Sequence, residues 1–442
     1  MGLNRLRIAF AALAALLTLL WLLSTPVSQL GGGFWPIRHN LILLTGILAL
    51  GFMAVAIVLA ARPVQIESAL GGLDKFYRLH KWLGVSGLTL AVVHWLLEIL
   101  PRSMVRQGWL ERPARPPRAP GGETDLLDSL RHPASGIGEW MLYLLILVVL
   151  LALWKRFPYH LFFKTHKLTA PAFLLLVFHG VVLMPRDYWT APIGPVMALI
   201  LAAGAIAAAA SLFRRIGHRR KAAGAVAWHK AYEHNAVLDV GVQLETAWPG
   251  HKAGQFAFLD FDDREGAHPF TISSAWKNDG KLTFTIKGLG DYTRRLPELV
   301  RDGLGVTVEG PYGRFDFSRG GERQIWIGGG VGITPFIARM QALLDRPAEG
   351  SIDLFYSTSA PDHEFVKHVE ELAHRTGVHF HLIRTPPDPP LTLDRLQEIA
   401  PDWATGEIWF CGPTGFAAAM RKAMTRRGLS PDCFHQELFE MR

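Results

Sequence analysis

The chain of 442 residues is nearly devoid of cysteine: only Cys411 and Cys433 occur, without a paired spacing. That excludes a cysteine-ligated iron–sulfur cluster, a zinc ribbon and a disulfide framework. There is also no CxxCH run for covalent attachment of a haem and no acidic calcium-binding loop pattern. Charge is sparse, with 19% of residues ionised against 50% hydrophobic, and the first half almost lacks it over runs near twenty residues. So greasy a first half excludes a single soluble domain. The net charge of +8 does not argue for nucleic acid, because many basic residues stand in short clusters beside apolar runs, where they orient a membrane protein.

Six apolar segments are predicted as spanning helices, at about 6–23, 39–60, 78–99, 137–154, 166–184 and 191–213. An even number puts both ends on one side. Arg5 and Arg7, then Arg62, Lys75, Arg78 and Lys81, then Lys155, Arg156, Lys164 and Lys167, and finally Arg214, Arg215, Arg219, Arg220 and Lys221 flank the same face, which the positive-inside rule makes cytoplasmic. The chain is thus expected to be a multi-pass protein of the cytoplasmic membrane with both termini in the cytoplasm. The first segment follows a basic start but lacks a small-x-small cleavage site before Gln29, so a retained span is expected rather than a signal peptide. The outer loop from Pro101 to Arg131 departs from the charge rule, since it holds Arg102, Arg106, Arg112, Arg115, Arg118 and Arg131; it is proline-rich and is expected to be irregular.

Two of the predicted spans each carry two histidines, His80 and His94 on the third, His166 and His179 on the fifth. At 1.5 Å rise the members of each pair lie about 20 Å apart along the helix, so each helix offers one imidazole towards each membrane face. Facing helices can then hold two haems, one above the other, through His80 with His166 and His94 with His179. The rival reading is that His80 and His166 are interfacial polar residues; His94 and His179 lie deeper and resist it. One geometric obstacle stands out. Thirteen steps of about 100° set His179 some 140° around an ideal helix from His166, so the fifth span is expected to be distorted, with Pro171 as the cause.

Beyond a basic linker at 214–227 the pattern changes. From Trp228 to about 320 it is β-rich, with KLTFTIK at 281–287 placing Leu282, Phe284 and Ile286 on one strand face, and a small antiparallel barrel is predicted. From 321 to 442 strands and helices alternate, the mark of a parallel-sheet nucleotide fold. GGGVGITP at 328–335 follows the strand Ile325–Ile327 and precedes a helix, with Thr334 placed to cap it and Pro335 suited to its first turn. Such a turn accepts a pyrophosphate at a helix N-terminus. CGPTG at 411–415 again follows an apolar strand, although Cys411 can equally be a small buried hydrophobe. HPFTISS at 268–274, GLGDYT at 288–293 and GPYG at 310–313 read by themselves as ordinary strand and turns.

As an ordered set, HPFT, GDYT, GPYG, GGGVGITP and CGP, preceded by the four membrane histidines, resemble the NADPH oxidase and ferric reductase family, whose dehydrogenase half is similar to ferredoxin–NADP reductases. The resemblance covers the chain from about His80 to Arg442. It implies a six-helix di-haem membrane domain at 1–213, an FAD-binding barrel at 228–320 and an NAD(P)-binding α/β domain at 321–442. It implies that His268, Pro269, Phe270 and Thr271, with Ser273, Ser274 and Lys287, line the flavin, Thr271 near its reactive nitrogen, and that Gly290 and Thr293 approach its phosphates. Gly310, Pro311, Tyr312 and Gly313 would support the same cofactor. Gly328, Gly329, Gly330, Val331, Gly332, Thr334 and Pro335, with Cys411, Gly412 and Pro413, would hold NADPH or NADH, and Phe439 would cover the flavin face. After the strand DLFYS this chain has Ser357, Thr358 and Ser359 where an arginine for the extra phosphate is usual, so strong NADPH preference is not implied. The implied reaction carries electrons from NAD(P)H through FAD and two b-type haems to a small-molecule acceptor across the bilayer: oxygen, giving superoxide, or else a ferric chelate, a quinone or a periplasmic protein. Arg38, at the outer start of the second span, is the candidate cation to steady a superoxide anion, and equally a propionate partner or an interfacial anchor. A haem-binding sensor or partner subunit is the rival of another class, and so is a flavoenzyme anchored by haem-free helices. No obligate protein partner is implied.

Overall fold

The computed structural model describes residues 2–63, 72–112, 126–154, 156–213, 215–232, 235–261, 265–317 and 320–436. Among these the chain divides into two compact units, Gly2–Ile216 and Gly217–Glu440, each considered separately.

The first unit is all helical: α1 (Gly2–Ser24), α2 (Phe34–Ala60), α3 (Leu73–Arg106), α4 (Leu126–Leu153), α5 (Tyr159–His166), α6 (Thr169–Leu183), the short α7 (Arg186–Thr190) and α8 (Ile193–Leu212). Among the described residues six helical segments are long and apolar enough to cross a membrane, among them Phe34–Ala60, Lys75–Arg106 and His160–Leu183. They fall on the six predicted runs. Two run further than expected: α3 continues through Pro101 to Arg106, and α4 begins at Leu126, so Arg102, Arg106 and Arg131 belong to helices and not to an irregular loop. Hydropathy finds only the apolar stretch of a helix, whereas backbone hydrogen bonding carries the helix on into polar sequence. Gln107 to Arg112 follow as turn and irregular chain, as expected, and 113–125 lies outside the described residues.

The fifth span is interrupted as its histidine spacing requires. α5 stops at His166 and α6 starts at Thr169. Across the join Leu168 N–H donates to the Thr165 carbonyl at 3.0 Å and Ala170 N–H to the Lys167 carbonyl at 3.2 Å, bonds one residue tighter than those of an α-helix. Pro171 has no N–H to give the Lys167 carbonyl, and its ring crowds the preceding turn. The break lies there.

In the second unit a six-stranded antiparallel sheet is ordered β4-β3-β6-β1-β2-β5, with β1 Lys221–Tyr232, β2 Val237–Leu244, β3 Phe256–Asp260, β4 His268–Thr271, β5 Lys281–Lys287 and β6 Gly305–Tyr312. A bridge between Ile272 and Phe284 and the bond from Ser273 N–H to the Thr283 carbonyl join the two outer strands, closing the sheet into a barrel around Val240, Leu259, Phe284 and Val308. The predicted linker needs correction. β1 starts at Lys221, inside the expected 214–227 linker, because Ala222, Gly224 and Val226 alternate inward while Lys221 to Ala225 pair with Gly305 to Glu309. Alanine and glycine carry little strand propensity, so the alternation is weak in the sequence.

The nucleotide-type half has a five-stranded parallel sheet, β11-β10-β7-β8-β9, from β7 (Arg323–Gly329), β8 (Ser351–Thr358), β9 (His379–Arg384), β10 (Glu407–Cys411) and β11 (Phe434–Gln436). Helices α10 (Thr334–Asp345), α11 (His363–Thr376), α12 (Leu393–Ile399) and α13 (Thr414–Arg426) lie between strands, while α9 (Asp291–Leu299) belongs to the barrel. Strands covered on both faces have to be apolar throughout: Ile325, Trp326 and Ile327 are all buried, Trp326 against Phe336 on one side and Ile325 against Leu396 and Met420 on the other.

Candidate functional site

In the helical unit the structure brings His80 beside His166 and His94 beside His179, with ring centroids 6.0 Å and 6.3 Å apart and ring planes at 76° in both pairs. Three rings are aimed by a main-chain carbonyl on another helix. His80 Nδ1 donates to Ala56 at 2.8 Å, His94 Nδ1 to Ile42 at 2.9 Å and His179 Nδ1 to Ala134 at 2.8 Å. A carbonyl only accepts, so Nδ1 carries the proton and Nε2 keeps its lone pair as a donor to metal. Two metal–imidazole bonds of about 2 Å, with roughly 1 Å from each ring centre to its nitrogen, add to about 6 Å. The observed separations match that span, and the fit to an iron between each pair holds.

Glycines make the room. A Cβ on Gly138 would lie 2.3 Å from His179 Nδ1, and one on Gly46 3.2 Å from the His94 ring. Gly84, on the α3 face between His80 and His94, would place a Cβ with no atom within 4 Å, space of the kind a flat macrocycle beside that helix requires. Arg38 stands at the start of α2. Its Nε donates to the Leu97 carbonyl at 2.7 Å and its guanidinium pairs with Glu98, the carboxylate that also binds Arg102, so its charge is shared with an acid one turn beyond His94.

In the second unit, GGGVG and CGP meet at the carboxyl ends of the adjacent parallel strands β7 and β10. The chain runs from β7 through β8 to β9 on one side and returns to β10 on the other, so this is the switch point of the sheet, where open α/β sheets bind ligands. The loops touch main chain to main chain. A Cβ on Gly332 would lie 2.1 Å from the Cys411 carbonyl oxygen, and one on Gly412 would lie 3.0 Å from Gly329 Cα. Gly330 has φ +57°. One detail differs from expectation: Thr334 does not cap α10. Its hydroxyl donates back to the Val331 carbonyl at 3.0 Å, because a tight turn at Gly330–Ile333 leads into the helix and Ile333 occupies the cap position.

A cleft between the barrel and this sheet is lined by Asn235, Val237, Thr285 and Lys287 from the barrel and by Gly330, Val331, Tyr356 and Thr358 from the sheet. Lys287 Nζ comes within 3.9 Å of the Cβ position of Gly330, which puts a cation beside the phosphate-type turn. Asn235, Thr285 and Tyr356 are not legible in the sequence as site residues, because their only signal is a place across the cleft from residues distant in the chain. HPFT and GDYT are brought together: the half-buried His268 ring stacks on Tyr292 at 4.3 Å and 20°, and Thr271 is buried. Thr293 Oγ1 accepts from the N–H groups of Leu289 and Gly290, both at 3.0 Å, fixing the turn into α9. Ser274 Oγ accepts from Thr283 N–H at 3.0 Å, and Ser273 Oγ from Thr285 at 3.3 Å, so these serines stitch the closing strands. In GPYG, Arg220 donates to the Pro311 carbonyl at 3.1 Å and lies over the Tyr312 ring, whose hydroxyl donates to the buried Glu309 at 2.7 Å. Phe439 lies outside the described residues.

Burial pulls the His268 imidazole down to about 4, against a weaker opposite pull from Glu265. The unfolded chain takes up that proton near pH 6.5, so the unfolded state binds more protons in between and stability falls as pH drops from 6.5 towards about 4. Unfolding midpoints followed by fluorescence across that range should decline, with a shallower slope in His268→Asn; equal slopes refute the assignment. Gly332→Val should force the two loops apart and lower kcat/KM for NAD(P)H on the order of 100-fold, the scale on which about 1 Å of misplacement is felt, with flavin content unchanged. Wild-type kinetics in that variant would show that the loop contact does not set the site.

Comparison with known proteins supports the same partition. Residues 45–177 match the ferric reductase like transmembrane component, 226–316 an FAD-binding domain and 326–422 an oxidoreductase NAD-binding domain. The chain is 27% identical over 206 residues to the glycine betaine monooxygenase reductase subunit of Pseudomonas aeruginosa, covering 42% of this chain and 56% of that one. It is 28% identical over 241 residues to a heavy chain of the superoxide-generating NADPH oxidase of Dictyostelium discoideum, covering 47% and 32%. The chain thus spans about half, or less, of the length of these relatives. Among solved structures, a flavohemoglobin from Malassezia yamatoensis aligns with 91% of this chain and 98% of its own at 15% identity and a TM-score of 0.49. A ferric reductase-like membrane component, an FAD-binding domain and an oxidoreductase NAD-binding domain thus follow one another in a single polypeptide, which makes the chain a ferric reductase-like oxidoreductase with flavin- and nicotinamide-binding domains.

Proposed function

We propose that this protein carries electrons from NAD(P)H through FAD across the bilayer, by way of two haems, to molecular oxygen on the far side, releasing superoxide. The observation that carries the reading is the pair of histidine pairs: four imidazoles in an apolar helical unit, facing two by two at spacings that suit an iron, in the same chain as flavin and nicotinamide domains. When bound, FAD takes a hydride as two electrons and gives them up singly, and haem holds one at a time.

The chain's own residues bind and orient. The main chain of Gly328–Pro335 and of Cys411–Pro413 offers a crevice for the nicotinamide nucleotide, with Lys287 beside it to meet phosphate. His268, Pro269, Phe270 and Thr271, with Tyr292, form the wall for the flavin, and Phe439 is proposed as its cover. His80 with His166, and His94 with His179, would hold the haems, the first pair towards the face that the basic flanks make cytoplasmic. Arg38 would stabilise the anion formed where oxygen is reduced. A second reading has one observation in its favour: Arg38 and Arg102 share the single carboxylate of Glu98, a net positive site that would attract an anionic ferric chelate.

Purified protein should contain two haems per chain with low-spin spectra, and His94→Ala or His179→Ala should contain one. Two haems in either variant would overturn the pairing. Reduction of cytochrome c by NAD(P)H should be suppressed by superoxide dismutase; insensitive reduction, with efficient anaerobic turnover of a ferric chelate, would move the assignment to a metalloreductase.

A further inference from the structure

Three of the four paired histidines repeat one arrangement, and His166 departs from it. His80, His94 and His179 each give the Nδ1 proton to a main-chain carbonyl, of Ala56, Ile42 and Ala134 respectively. His166 Nδ1 is buried and meets no acceptor among the described residues. At the second level, that of His94 and His179, both rings are therefore bonded. At the first level only His80 is.

The local chain accounts for the difference. α5 ends at His166, and the tighter turns through Leu168 and Ala170 begin just beyond it. Thr169 Oγ1 donates to the His166 carbonyl at 2.7 Å, which ties the main chain there into the break. The ring is set by an aromatic neighbour in place of a carbonyl: Phe162, one turn earlier on α5, stacks on it at 5.2 Å and 28°. A stacked ring fixes the plane of an imidazole but takes no proton from its edge.

That missing bond has an electronic consequence. An N–H held by an acceptor leaves more electron density on the opposite nitrogen, so the bond makes Nε2 a more basic ligand. A more basic ligand favours ferric over ferrous iron and lowers the reduction potential. His166 lacks this push.

We propose that His166, through its unpartnered Nδ1, sets the two levels apart in energy: iron held by His80 and His166 has the higher potential, and iron held by His94 and His179 the lower, an ordering that rests on the two-haem reading proposed above. Passing one electron outward oxidises the first iron from ferrous to ferric and reduces the second from ferric to ferrous. No bond or proton changes hands. Outer bonds to metal ligands are worth about tenfold or more, so the outward transfer is uphill on the order of tenfold, about 59 mV for one electron. An electron in the membrane unit then rests at the first level until an acceptor draws it off.

The test is a potentiometric titration of the full chain in nanodiscs, followed at the haem α-band. His179→Ala keeps the first level and His80→Ala the second, and the midpoint in His179→Ala should be the higher by about the amount given. Two further changes in the His179→Ala background examine the cause. Phe162→Gln brings an amide oxygen beside His166 and should lower the first-level midpoint and move its ferric electron paramagnetic resonance, whereas Phe162→Leu, which adds no acceptor, should do neither. Equal midpoints at the two levels, or the reverse order, overturn the inference. So do Gln and Leu variants that shift alike or not at all. A wild-type protein without a haem band refutes the two-haem reading instead.

Discussion

In an apolar interior a ring nitrogen that carries a proton has no water to receive it, and the remaining structure of the helical unit follows from how that demand is met. Three histidines hand the proton of Nδ1 to a carbonyl on a neighbouring helix: Ala56 and Ile42 on α2, Ala134 on α4. Each such carbonyl already serves its own helix and has a second lone pair to offer. The bond settles the tautomer, points Nε2 across the helix interface and ties α3 and α6 to their neighbours at chosen heights. His166 is the exception, since its Nδ1 finds no partner among the described residues; it is set by the stacked Phe162 ring at 5.2 Å.

The second unit answers a different constraint, the need for main chain to approach main chain. Between β7 and β10 the side chains are removed, by Gly329 and Gly332 on one loop and Gly412 on the other, so that the strand ends close to contact distance. What remains at the surface is a set of peptide groups and, across the cleft, the ammonium of Lys287. A site of this kind recognises charge and shape through the backbone, and the flanking side chains are free to pack the core on either side, Trp326 and Phe336 below one loop and Phe410 and Phe416 below the other.

How much of this is legible in the sequence depends on the range of the interaction. Hydropathy marks spans because burial in lipid is a property of each segment alone, and the alternation of KLTFTIK marks β5 for the same reason. The histidine pairing is legible because two helices repeat nearly one spacing, and the angular misfit of His166 and His179 locates a distortion that the break before Pro171 supplies. Boundaries set by partners are not legible. The alanine-rich start of β1 becomes a strand only through its pairing with Gly305 to Glu309, and Thr334 turns away from capping because the preceding glycines coil into a tight turn. Asn235, Thr285 and Tyr356 reach the cleft from three strands or loops that local sequence cannot bring together.

The interruption between α5 and α6 bears on how the two histidine levels relate. On one continuous helix a twist needed at His166 would be carried rigidly to His179, and any adjustment at one level would be felt at the other. Two or three residues of tighter turn absorb that rotation, so the angular setting of each imidazole is a local matter, and sequence change near one pair can shift its surroundings while the other keeps its own. The fifth span is in this sense two short levers with a common fulcrum.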